Sequence, residues 1–179
     1  MALLVIDVQE SFRQRPIWAE VSDPDIVAHV GELVGRAREL GHEVVWILHA
    51  EPGSDDVFDP AQGHVRLVEG LEPRPGEATF TKTSRNAFTT TGLGQHLQQQ
   101  GIRRVVVSGI QTEQCCETTA RVAADLGYDV TFVTEATATF PITRPDTGDV
   151  LAVHAVLERT EFALAGRFAR IATRATAFA

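Results

Sequence analysis

Cysteine is scarce in this chain: Cys115 and Cys116, side by side, are the whole complement among 179 residues. Two adjacent thiols do not make a disulfide framework, so a reducing compartment is expected. Long apolar runs are missing as well. Residues 2–6 are apolar, but Asp7 cuts that run far short of a signal-peptide core or a membrane span, and a cytoplasmic protein is expected. Positive charge is in deficit, with 16 Lys and Arg against 24 Asp and Glu and a net charge of −8. That balance argues against nucleic acid or an anionic membrane as the main partner. No low-complexity tract occurs. What is present is ordinary for a soluble globular protein, 44% hydrophobic and 22% charged, in a length that suits one domain over 1–179 with a sizeable core.

The apolar pattern alternates between strands and helices. Ala2 to Ile6 reads as a strand buried on both faces. Ser22-Asp23-Pro24 reads as a helix start, a capping carboxylate with proline at the first helical position. Ile26, Val27, Val30, Leu33, Val34, Ala37 and Leu40 then fall on one helical face. Gly41, Gly101 and Gly127 each follow a helical stretch and precede an apolar strand: Glu43 to Leu48, Val105 to Val107 and Val130 to Val133. Thr79 to Lys82 reads as a further short strand, Gly92 to Gln100 and Asp149 to Leu164 as helices, and Phe168 to Ala172 as a last strand. Six strands with helices between them give an α/β class with a parallel sheet. Glu51 to Ala78 breaks the rhythm, with four prolines, four glycines and seven acidic residues against two arginines. It reads either as the lining of a site or interface or as a solvated excursion with a helical turn around Gly63 to Glu69. Thr137 to Gly148 is a second loop.

In open parallel sheets, ligands sit beyond the carboxyl ends of the strands. Asp7, His49, Lys82, the Gly109–Cys115 turn and Glu135 all follow strand ends and are placed on that edge. Cys115 also lies in the first turns of the helix that Gly127 ends, where unpaired N–H groups and the helix dipole favour a thiolate. A thiol, a carboxylate and an ammonium suit attack on an amide or ester carbonyl, with the turn's N–H groups holding the oxyanion. Proton transfer from an unperturbed thiol to an unperturbed aspartate is uphill by roughly 4.6 pKa units, or about 6 kcal/mol. Asp7 serves as a base only if burial raises its pKa while Lys82 and the helix start lower that of Cys115.

Three blocks, LLVIDVQESF, FTKTSRNAFTTTGL and VVVSGIQTEQCCETTARVAADLGYDVTFVTEA, resemble those of the isochorismatase-like cysteine hydrolases, in the right order over nearly the whole chain. The resemblance implies a three-layer, Rossmann-like α/β/α fold with a six-stranded parallel sheet in the order 3-2-1-4-5-6, assembled as a homodimer or homotetramer. It implies Cys115 as nucleophile, Asp7 as proton acceptor and Lys82 as the third member. It implies a cis peptide between Ile110 and Gln111, that turn and the Cys115 amide forming the oxyanion hole. Metal-dependent nicotinamidases of the family carry an Asp-x-His pair where this chain reads His49-Ala50-Glu51. The vinyl-ether isochorismatases lack the cysteine that is present here. The remaining branch is metal-independent C–N hydrolysis of a small amide or carbamoyl compound through a thioester, without a cofactor.

Several residues keep two readings. Gln9, Phe12 and Phe88 line the substrate pocket or serve as framework. Arg85 and Arg144 pair with an anionic substrate or are solvated. His49, Glu51 and His64 imitate a metal site, although no metal is expected. Cys116 is assigned to core packing, His154 to a helix surface or core, and Glu135 to anchoring loop backbone. A thiol redox protein and a non-catalytic binding member are the competing functions, the first without a C-x-x-C motif.

Overall fold

A computed structural model describes residues 1–179. A six-stranded sheet runs through it in the order β3-β2-β1-β4-β5-β8, every pairing parallel. The strands are β1 Ala2–Ile6, β2 Glu43–His49, β3 Ala78–Lys82, β4 Arg104–Ile110, β5 Asp129–Ala138 and β8 Arg170–Ile171. Strands β6 Ile142–Thr143 and β7 Val150–Leu151 form a separate antiparallel hairpin. The principal helices are α1 Glu10–Arg13, α2 Ile26–Glu39, α3 Leu93–Gln99, α4 Glu117–Asp125 and α5 Val153–Leu164.

Alternation explains why β1 is apolar without a break. Leu3 and Val5 point into one core layer with Ile26, Val30, Leu33, Val34 and Ala37 of α2. Ala2, Leu4 and Ile6 point into the other, with Leu93, Leu97, Ala120, Ala123 and Leu164 of α3, α4 and α5. Each fully buried Leu, Ile or Val contributes roughly 1.5–3 kcal/mol of hydrophobic stabilisation. Both faces of the central strands therefore need apolar residues, and the three-layer fold follows.

Element ends depart from the sequence reading where side chains compete for backbone groups. Helix α2 begins at Ile26 rather than Pro24, because the Asp23 carboxylate accepts from Asp25 N at 3.0 Å and holds a turn. Helix α5 begins at Val153, since Val150 and Leu151 pair with Thr143 and Ile142 instead of joining it. The last strand shrinks to Arg170–Ile171. The helical turn of the long acidic segment lies at Pro60–Gln62, where Asp59 caps it, and not around Gly63 to Glu69. That segment is well tied down. Asp59 accepts from the N–H groups of Gly53, Asp55 and Ala61, and Phe58, Val68 and Leu71 are buried in the core beside α2.

One glycine sets the closeness of β1 and β4. Gly109 has φ +127°, and a Cβ there would lie 1.9 Å from the carbonyl oxygen of Ile6. Only glycine permits this approach. It draws the end of β1 against the turn that leads to Cys115.

Candidate active site

The first side chain of the site stands where β1 ends. Asp7 follows Ile6 with φ +52°, a left-handed conformation that aspartate tolerates better than most residues. Its N–H donates to Ile47 O and its carbonyl accepts from Gln9 N, both at 2.8 Å, which fixes the kink. The second side chain comes from β3, separated from β1 by β2 and so about 10 Å away at usual strand spacing. A long side chain is needed to cross that gap. Lys82 supplies it, placing Nζ 2.7 Å from Asp7 Oδ2 and 3.3 Å from Cys115 Sγ. The third stands on a π-helical turn, Thr112–Cys116, that runs into α4. The Ile110–Gln111 peptide preceding this turn is cis. Thr112 Oγ1 donates to Thr137 Oγ1 at 2.8 Å, bracing the turn against β5.

All three groups are out of solvent: Asp7 and Lys82 are 0% exposed and Cys115 5%. Lys82 Nζ and the Asp7 carboxylate, 2.7 Å apart, form a fully buried ion pair. Burial raises the Asp7 pKa, and Lys82 offsets only part of that rise. Burial, then the Asp7 charge, pushes Cys115 up to about 12 against the pull of Lys82. The direction is opposite to the expected thiolate, because desolvation and the Asp7 charge outweigh the ammonium. A solvent-equilibrated thiolate at pH 7 would cost about 7 kcal/mol. Moving the proton to Asp7 instead removes the repulsion between the two anions and leaves the thiolate facing Lys82. The arrangement suits a thiol that loses its proton as it attacks.

A cavity of about 280 Å³ opens over this centre, lined by Asp7, Gln111 and Cys115 at its floor and by Phe12, Phe58 and His49 on its walls. Arg15, Glu51, Asp56, Arg85 and Gln114 complete it. Phe12 and Phe58 meet edge to face at 5.0 Å. The Gln111 N–H donates to no acceptor within the chain.

Of the residues singled out from sequence, Asp7, Lys82, Cys115, Gln111, Phe12 and Arg85 are brought together, and the backbone of Ile110 joins Gln111. Gln9 is framework and not pocket. Its fully buried amide accepts from His49 N and donates to His49 O and Ser11 Oγ. Phe88 points away, packing on Tyr128 with ring centroids 5.7 Å apart. Arg144 pairs with Asp146 in the hairpin loop and is absent from the cavity. Glu135 lies within β5 rather than at a strand end, and it anchors backbone by accepting from Arg174 N. Cys116 is fully buried in the core, and His154 is exposed on α5.

His49 and Glu51 do not fit a metal. His49 Nε2 lies 3.0 Å from Glu51 Oε1 and 3.0 Å from Arg85 NH1, so a guanidinium already occupies the place a cation would take. Burial lowers the His49 pKa, with Lys82 adding to the effect. His64 contributes only its carbonyl, which accepts from Ser11 and from Arg66 N. Sequence reasoning did not single out Arg15, Asp56, Phe58 or Gln114, although Asp56 and Phe58 fall in the Glu51–Ala78 segment read as a site lining.

The isochorismatase domain model matches residues 1–174. The chain belongs to the isochorismatase family. Among isochorismatase-family relatives, it is 30% identical over 139 residues to the uncharacterized protein YrdC of Bacillus subtilis, covering 78% of this chain and 74% of that one. It is 36% identical over 143 residues to streptothricin hydrolase of Streptomyces noursei, covering 79% of this chain but 55% of that protein. Nicotinamidase 3 of Arabidopsis thaliana is 41% identical over 146 residues, 78% of this chain and 73% of its own. A solved isochorismatase from Pseudomonas putida KT2440 superimposes with a TM-score of 0.87 at 31% identity, over 98% of this chain and 89% of that one. The parallel sheet order described above is that of the isochorismatase fold, and the chain is an isochorismatase-family hydrolase.

Proposed function

We propose that this hydrolase cleaves the C–N bond of a small amide or carbamoyl compound through a thioester on Cys115. One observation carries the reading: Lys82 Nζ stands 2.7 Å from the Asp7 carboxylate and 3.3 Å from the Cys115 sulfur, all three are buried, and the acid and the sulfur line one cavity. An acid, an ammonium and a thiol buried together cost several kcal/mol unless their charges compensate. A core packing role does not require that cost, whereas proton transfer and nucleophilic attack do.

In this reading the Cys115 thiol gives its proton to Asp7 as the sulfur attacks the carbonyl carbon. Lys82 keeps the developing thiolate charge paired. The carbonyl electrons move onto oxygen, where the free Gln111 N–H is available to receive the oxyanion. As the tetrahedral adduct collapses, the C–N bond breaks and Asp7 returns the proton to the departing ammonia or amine. Water then attacks the thioester, its proton passing to Asp7 and on to the thiolate, and a carboxylic acid leaves. A resting thiol with a pKa of about 12 is compatible with this sequence because no free thiolate has to accumulate.

The small cavity favours small substrates, and nicotinamidase 3, among the relatives, is named for an amide. The test is an ammonia-release screen over small amides, ureas and carbamoyl compounds. The wild type is expected to release ammonia from at least one of them, and Asp7→Asn to slow that substrate at least about 1,000-fold while keeping the fold. Undiminished turnover in Asp7→Asn would remove the proposed proton acceptor.

A further inference from the structure

Lys82 is the only lysine in the sequence, every other member of the Lys and Arg complement being arginine. That one side-chain amine is 0% exposed, and its Nζ lies 3.3 Å from Cys115 Sγ. An acyl carbon bonded to that sulfur sits one bond from it, which brings the amine to about the 3–3.5 Å from which a nucleophile attacks. A thioester beside an amine reacts downhill, because the amide is the more stable acyl derivative. Only the third proton on Nζ prevents it, since an ammonium has no lone pair to give.

Burial by itself favours the neutral amine. The Asp7 carboxylate opposes that from 2.7 Å, and no other carboxylate lies within ion-pair distance of Lys82. Glu51, the next acid of the cavity, is turned to His49 and Arg85. His49 faces Lys82 across the β2–β3 register and supplies no counter-charge. In the proposed reaction Asp7 has handed its proton to the leaving amine by the time the thioester stands. It is therefore a carboxylate at the one stage when Lys82 has an acyl group within reach.

We propose that Lys82 is a latent acylation site, and that the charge of Asp7 keeps the acyl group of the Cys115 thioester from passing to it. The inference rests on the thioester reading and gives Asp7 a second duty besides proton transfer. Without that charge, Nζ releases a proton to solvent and its lone pair attacks the thioester carbonyl. A C–N bond forms, the C–S bond breaks with its electron pair left on sulfur, and a second Nζ proton passes to that sulfur. The products are an acyl-Lys82 amide and a free Cys115 thiol. Turnover then ends, because the cation that paired the developing thiolate is gone.

The experiment treats the wild type and Asp7→Asn with an activated ester, p-nitrophenyl acetate, and quenches in acid at a series of times. Peptide mapping follows, with and without hydroxylamine, which strips thioesters and leaves amides. With one lysine in the sequence, a hydroxylamine-resistant acyl-lysine reports Lys82 alone. In the wild type the label should stand on Cys115 and remain labile. In Asp7→Asn it should appear on Cys115 and then move to Lys82, about 10- to 1,000-fold faster than in the wild type, the factor by which an adjacent opposite charge favours the ammonium. Asp7→Glu keeps the carboxylate and should protect Lys82 as the wild type does. Asp7→Ala removes the charge by a different side chain and serves if the asparagine variant does not fold. A label that stays on Cys115 in the folded, charge-removed variant would overturn the inference and leave the thioester reading standing. Equally fast transfer in the wild type would overturn it too, as would Lys82 acylation that persists when Cys115→Ala is added, since the acyl group would then bypass the sulfur. Absence of any acyl group on Cys115 in the wild type would instead remove the reading beneath it.

Discussion

Alkylation of Cys115 offers a test of the charge state proposed for the resting site. Burial and the Asp7 charge hold this thiol up to about 12, some 3.5 units above a free cysteine at about 8.5. Near neutral pH the thiolate fraction is then about 3,000-fold smaller than that of free cysteine. The more basic thiolate is the better nucleophile, and a Brønsted slope of about 0.45 recovers roughly 40-fold. Iodoacetamide should therefore modify Cys115 about 100-fold more slowly than glutathione, before any steric factor. The rate should keep rising tenfold per pH unit from about pH 7 to about pH 10. Peptide mapping by mass spectrometry separates Cys115 from Cys116, whose pKa burial raises as well. Asp7→Asn sharpens the test, because it removes the second-largest cause of the rise. Its Cys115 should alkylate faster than wild type near pH 8 while its amide turnover falls. Modification that is faster than that of glutathione, or level between about pH 6 and pH 9, would mean a resting thiolate and would refute the charge assignment.

Two further perturbations follow from the burial of the site. Lys82→Met leaves the Asp7 carboxylate buried without its cation, an expected loss of about 3–5 kcal/mol at neutral pH. The folded-state Asp7 pKa is already raised and rises further without Lys82, so this loss sets in as pH climbs through the folded value and is relieved in acid. Urea midpoints should therefore show a narrower gap from wild type near pH 5 than near pH 8; a constant gap would contradict the ionised pair. Gly109→Ala would drive a Cβ into the Ile6 carbonyl. It should destabilise the fold by more than about 4 kcal/mol and lower the Tm by about 10 °C in a scanning calorimeter, given the size of the domain. An unchanged Tm would show that β1 and β4 are not so closely opposed.

Much of the architecture was legible because it follows from residue periodicity. Unbroken apolar strands, glycine-terminated helices and their alternation lead to a parallel sheet whatever the loops do. The site was legible for a related reason, since strand ends of a parallel sheet share an edge and Asp7, Lys82 and Cys115 all stand there. Quantities that depend on three-dimensional surroundings were not legible. The direction of the Cys115 shift turned on how completely the sulfur loses water, which a helix position does not reveal. Gln9 kept both a pocket and a framework reading, and what decides between them is an amide that spans to His49, forty residues away. Phe88 was a matter of side-chain direction. Arg15 and Phe58 reach the cavity only because the Glu51–Ala78 segment folds back over α1, with Glu10 N donating to Arg66 O and Ser11 N to His64 O.

The most direct test of the central claim is to find the acyl group. An activated ester of an acid the enzyme accepts should acylate faster than the thioester hydrolyses, so the intermediate accumulates. Acid quench during the burst, followed by peptide mapping, should locate one acyl group per chain on the sulfur of Cys115. Label on a different side chain, or product forming at an undiminished rate in Cys115→Ala, would contradict the account.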